Sequence, residues 1–180
     1  DETAAQEGAI DYDKTVQYPF GYGLSYTEFE QKMGELEEKD GQISVDVEVT
    51  NSGDVAGKDV VEVYYKPPYT NGGIEKSSAN LIEFEKTNLL QPGESQTVTV
   101  TFSIEDMASY DENNAKAYVL EKGDYVISIN SDSHTVLDQK TYTADKDVVY
   151  KGENKRASDD TAATNVFEDA KGDVLSLIHI

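Results

Sequence analysis

Apolar and polar residues alternate with a period of two through the middle of this chain. Ile43, Val45, Val47 and Val49 are interleaved with Ser44, Asp46, Glu48 and Thr50. Successive side chains of an extended strand point to opposite faces, so this run predicts a strand with one buried and one wet face. The turn residues Asn51-Ser52-Gly53-Asp54-Val55-Ala56-Gly57 follow. A second strand is predicted with Val61, Val63 and Tyr65 on one face and Val60, Glu62 and Tyr64 on the other. Pro67-Pro68 ends it, because proline has no N–H to donate. Leu81 to Phe84 is a shorter run, and Gln91-Pro92-Gly93-Glu94 is a turn. Val98, Val100 and Phe102 then alternate with Thr97, Thr99 and Thr101. Ala117 to Leu120 predicts a short strand, and the turn Glu121-Lys122-Gly123-Asp124 leads into Tyr125, Ile127 and Ile129. Val136 to Tyr142 predicts a further edge strand, and Ile104 to Ala108 a single helical turn. Many short strands punctuated by Gly, Pro and Asn predict an all-β fold, an antiparallel two-sheet sandwich with one inner face from each sheet.

The alternation places this domain at residues 28–143. Residues 1–27 read as a linker leading in from a preceding domain, and 144–180 as a polar linker toward a missing one. The final Leu175-Ser176-Leu177-Ile178-His179-Ile180 is abruptly apolar. It reads either as the first strand of a further domain or as foreign sequence at a junction. The first residue is Asp1, and the chain is read as the middle of a longer protein.

Composition narrows the functions open to it. The 180 residues are 37% hydrophobic, below the share usual for a compact globule, so part of the chain is expected to be linker. The net charge is −21, and Arg156 is the single arginine. So acidic a surface repels phosphate backbones and anionic head groups, which argues against nucleic-acid and membrane partners. Without cysteine there is no disulfide, thiolate metal site or cysteine nucleophile. No run reads as a signal peptide or membrane span, no Asn-x-Ser/Thr acceptor is present, and the compartment stays open.

One segment stands apart from the alternation: Tyr18-Pro19-Phe20-Gly21-Tyr22-Gly23-Leu24-Ser25-Tyr26-Thr27. Pro19 pre-sets a backbone angle, while Gly21 and Gly23 allow conformations closed to other residues. Tyr18, Phe20, Tyr22 and Tyr26 place large rings on this turn, so by pattern alone it is an aromatic plug packed against something. The string resembles the lead into the fibronectin type III-like domain of family-three glycoside hydrolases, the β-glucosidase and β-xylosidase group. Further strings resemble that domain in the right order: Val47-Glu48-Val49-Thr50-Asn51-Ser52-Gly53, Ala56-Gly57-Lys58-Asp59-Val60-Val61, Leu90-Gln91-Pro92-Gly93-Glu94-Ser95 and Gly123-Asp124-Tyr125. Leu81-Ile82-Glu83-Phe84-Glu85-Lys86 also resembles it, with Glu83 where glycine is usual. The resemblance implies an immunoglobulin/fibronectin type III-like sandwich with irregular N- and C-terminal linkers.

The resemblance also implies that the chemistry lies elsewhere. In the family an aspartate nucleophile sits in a β/α-barrel and the acid/base in an α/β sandwich domain; neither motif occurs here. The tail Thr161-Ala162-Ala163-Thr164-Asn165 and Phe167-Glu168-Asp169 resembles the linker of a subgroup of reordered domains, which implies a bacterial enzyme with its nucleophile beyond residue 175. The chain is therefore expected to be an accessory, non-catalytic domain, inactive alone, partnered by the catalytic domains of its own parent chain and by the parent's carbohydrate substrate. The expected interdomain packing residues are Tyr18, Pro19, Phe20, Gly21, Tyr22, Gly23 and Tyr26. The alternative is a free-standing carbohydrate-binding or surface-adhesion sandwich.

Within the domain, retaining glycosidase chemistry needs two carboxylates about 5 Å apart. Asp106, Asp111 and Glu112 fall near a turn and read as a solvated acidic loop. Asp132-Ser133-His134 are neighbours in sequence, which is not triad geometry, and read as a surface turn. No metal site, calcium loop or cofactor motif is expected. Tyr64, Tyr65 and Tyr69, with Pro67 and Pro68, are the candidate sugar-facing aromatics, although rings at a strand end more often pack a core or interdomain contact. The insert Tyr69 to Asn80 is long for a hairpin and is expected to reach toward a neighbouring active site.

Overall fold

The computed structural model describes residues 27–159. The chain runs β1 (Phe29–Lys39), β2 (Gln42–Asn51), β3 (Val60–Lys66), β4 (Asn80–Lys86), β5 (Ser95–Ser103), a 3-10 turn (Ile104–Met107), β6 (Ser109–Asp111), β7 (Ala117–Leu120), β8 (Gly123–Asp132), β9 (Thr135–Ala144), β10 (Val148–Tyr150) and a second 3-10 turn (Gly152–Asn154). Three antiparallel sheets form, in the orders β1-β2-β5, β4-β3-β8-β9 and β10-β7-β6. The first two sheets make the sandwich.

The alternating positions face each other across it. Ile43, Val45, Val47 and Val49 are at most 1% exposed, as are Val61, Val63, Val100, Tyr125, Ile127 and Ile129. Each apolar side chain withdrawn from water contributes roughly 1.5–3 kcal/mol before entropy is subtracted, which makes this double row the main stabilising element. Tyr125 is buried in it and donates its hydroxyl to the Glu121 carbonyl at 2.9 Å.

Strand β1 is absent from the period-two pattern, and its pairing explains why. Met33 faces Val47 but Leu36 faces Val45, so one extra residue is inserted between them. This bulge re-aims Leu36 toward the core where strict alternation would place Glu35 or Glu37. Gly34 lies at the bulge, and a Cβ there would come within 3.2 Å of the Asp46 carbonyl. The β1–β2 hairpin turns on Asp40 and Gly41, both with positive φ (52° and 76°), the requirement of a type I′ turn. Asp138 of β9 closes the open side by accepting the Met33 N–H at 2.9 Å.

The pairing also continues past residue 143, where the alternation ends. Val148, Val149 and Tyr150 pair with Leu120, Val119 and Tyr118. Val148 and Tyr150 pack against the core, so this part of the polar stretch is a strand.

Candidate functional site

The residues singled out for chemistry occupy structural positions. Asp111 is 8% exposed, and its carboxylate accepts the N–H groups of Asn113, Asn114 and Ala115 at 3.0–3.1 Å. Those bonds hold its pKa below the usual carboxylate range, led by the one from Ala115. Asp106 is shifted the other way, raised first by burial and then by the charge of Glu105. Asp132 closes the β8–β9 hairpin, accepting the N–H groups of His134 and Thr135 and the Thr135 hydroxyl. Its bond from the His134 N–H lowers its pKa. Among the described residues, no group of three or more His, Asp or Glu is placed to hold a metal ion.

The three tyrosines go to three places. Tyr65 is an inner-face residue packed on the core, and burial raises its pKa. Tyr64 projects from the outer face of the four-stranded sheet. Tyr69 is 64% exposed on the 67–79 loop, across a shallow depression from Tyr110, Glu112 and Asn113. They form no single platform. Tyr18, Pro19, Phe20, Gly21, Tyr22, Gly23 and Tyr26 lie outside the described residues.

Where the chain enters the sandwich, the structure shows what the Asn-Ser-Gly turn is for. Asn51 is fully buried. Its Nδ2 donates to the carbonyls of Val55 and Leu90 at 2.8 and 2.9 Å. Its Oδ1 accepts from the Thr27 hydroxyl and the Gly53 N–H, both at 3.0 Å. All four hydrogen-bonding sites of the carboxamide are filled. This one side chain ties the incoming chain, the 53–57 turn and the Leu90 loop together. Val55 and Leu89 project from those joined loops and are 57% and 53% exposed.

A second locus lies on the outer face of the four-stranded sheet, on positions whose alternation marks them as wet. The register sets Leu81, Tyr64, Ser128 and Gln139 in one row, and Phe84, Glu62, Asn130 and Val136 in the next. A cleft of about 570 Å³ opens there, lined by Tyr64, Ser128, Asn130, His134 and Gln139. Burial, followed by the charge of Glu62, raises the Tyr64 pKa. The sequence signals for this cleft are Tyr64, one of the candidate sugar-facing aromatics, and the polar pair Ser128 and Asn130 beside the apolar Ile127 and Ile129.

Residues 59–133 match the family described as Fibronectin type III-like domain. A β-glucosidase of Kluyveromyces marxianus is 36% identical over 140 residues, 77% of this chain and 16% of that protein. The structure of β-glucosidase 3B from Thermotoga neapolitana in complex with α-D-glucose superposes with a TM-score of 0.64 at 34% identity, covering 76% of this chain and 18% of that one. The GH3 β-glucosidase of Bifidobacterium adolescentis superposes with a TM-score of 0.61 at 29% identity, over 74% and 19% of the two chains. The chain thus spans less than a fifth of the length of each of these three proteins. By these matches the chain belongs to the fibronectin type III-like domains found in enzymes of glycoside hydrolase family three.

Proposed function

We propose that the chain is the accessory, non-catalytic domain of a glycoside hydrolase acting on β-linked glucosides or xylosides, and that it stabilises and orients the catalytic domains of the same polypeptide. The observation that carries this reading is the match of three quarters of the chain to a small part of whole β-glucosidases. In this reading the sandwich begins at residue 28 and extends past 143 to include β10, and the segments flanking it connect to the neighbouring domains. The docking surface is the end where the chain enters. There Val55 and Leu89 stand exposed on two loops that Asn51 holds rigid. Exposed apolar side chains on a rigid support are what an interdomain contact needs.

The test has two parts. Sequencing the gene on both sides of this segment should reveal a barrel domain with an aspartate nucleophile; flanking sandwich repeats or a surface anchor would sink the reading in favour of an adhesion module. In the parent protein, Val55→Asp with Leu89→Asp should lower the melting temperature by about 5 °C or more while leaving that of the isolated chain unchanged. Equal shifts in both would refute the docking role.

A further inference from the structure

Ser128 and Asn130 occupy positions where a sandwich strand ordinarily meets water, yet they are only 7% and 3% exposed. The Ser77–Ala79 stretch and the β8–β9 hairpin wall them into the outer-face cleft. The Asn130 carboxamide oxygen is buried and accepts no hydrogen bond. An acceptor left unmade in a low-dielectric site carries its full desolvation cost, which a donor seated in the cleft, from a ligand or a water, offsets.

The lining defines that donor. Tyr64, Ser128, Asn130, Gln139 and His134 offer hydroxyls, carboxamides and an imidazole. Of the two nearby carboxylates, Asp132 is engaged by its hairpin, and Glu62 sits two residues from Tyr64 on the same outer face. Lys66 is the one ammonium on the lining, and a chain of net charge −21 disfavours anions. A neutral molecule with many hydroxyls satisfies such a site, and the Tyr64 ring can pack against an apolar C–H face. The volume of about 570 Å³ falls within the roughly 300–1,000 Å³ of small-ligand sites. We propose that this cleft is a saccharide-binding site for one or two pyranose units of a neutral glycan, with Tyr64 packing on a ring face and the Asn130 carboxamide oxygen accepting a hydrogen bond from a sugar hydroxyl. This holds whether or not the parent chain is a hydrolase.

The test is a titration of the ¹⁵N-labelled 180-residue chain with cellobiose and, separately, xylobiose, followed by backbone and side-chain amide shifts. Progressive shifts at Tyr64, Ser128, Asn130 and Gln139 are expected, with Kd of about 1 mM, and Tyr64→Ala should weaken binding at least about tenfold. Asn130→Leu should abolish the response while the chain stays folded; should that variant unfold, the half-buried Tyr64 position decides alone. No response up to about 50 mM of either disaccharide, or one that survives Tyr64→Ala, would overturn the proposal. Protection of this face from hydrogen exchange only within the parent protein, without a saccharide response, would make the occupant a polypeptide and equally overturn it.

Discussion

The side chain that decides most at the residue scale is Asn51. Its four hydrogen bonds join segments that are 24 and 39 residues away in sequence. Replacement by alanine removes all four bonds from a buried site, although the Leu90 carbonyl keeps the Gly57 N–H and the Gly53 N–H keeps the Glu28 carbonyl. Asn51→Ala should therefore cost about 3 kcal/mol, read as a lowered urea midpoint with little change in slope. A loss under about 1 kcal/mol would show that water replaces the carboxamide. Gly53 belongs to the same construction, because an added Cβ would overlap Thr27 Oγ1 and come within 2.7 Å of the Glu28 nitrogen. The turn chemistry of this stretch was legible from Asn, Ser and Gly. The long-range role of its asparagine was not, because none of its distant partners is marked in the local string.

Legibility differs sharply between elements. Strands β2, β3, β5 and β8 announce themselves because one face is sealed and the other wet, so burial writes a period of two. In β1 the bulge breaks that period, and Phe29, Met33 and Leu36 fall at intervals that resemble a helix; the signal that survives is Asp40-Gly41, a hairpin turn pair. Strands β6 and β10 are three residues each and exist because β7 lies between them. Two further groups hold this small sheet. Arg156 lies 3.3 Å over the Tyr118 ring and pairs with Asp159 at 2.7 Å, while Asp111 caps the β6–β7 turn. Since the folded state lowers the Asp111 pKa, its contribution is complete above the unfolded value of about 3.9 and is lost as pH falls through the folded one. Asp111→Asn should thus be less stable than the parent sequence at neutral pH, with the gap closing only below about pH 4. A gap independent of pH down to the lowest pH at which both chains fold would refute the carboxylate's role.

For the molecule as a whole, charge is the largest imbalance. With 36 acidic residues against 15 basic ones, self-repulsion opposes the compact state. Few cross-links offset it among the described residues: Lys76–Glu121, Lys140–Glu35 and Arg156–Asp159. Salt screens the repulsion between exposed charges most; the Lys76–Glu121 and Arg156–Asp159 pairs are largely buried and are screened less, and the exposed Lys140–Glu35 pair contributes little, while the Debye length shrinks from about 30 Å at 0.01 M to about 10 Å at 0.1 M. Raising sodium chloride from about 10 mM to about 0.5 M should therefore raise the melting temperature, measured by circular dichroism. A fall would show that the few ion pairs outweigh the repulsion.

The period-two alternation and the turn residues by themselves determined the all-β sandwich, its inner faces and its punctuation, because sealing one face of a strand imposes a local constraint that any sequence must display. The motif strings of the same chain pointed to the fibronectin type III-like domain of family-three glycoside hydrolases. Only the tertiary structure decided which wet-face positions are covered. It sends Tyr64, Tyr65 and Tyr69 to three surroundings, gives Asn51 its partners, and walls in Ser128 and Asn130 with a loop some fifty residues away. Those outcomes depend on which distant segments meet, and a local string carries no record of a neighbour that arrives through the fold.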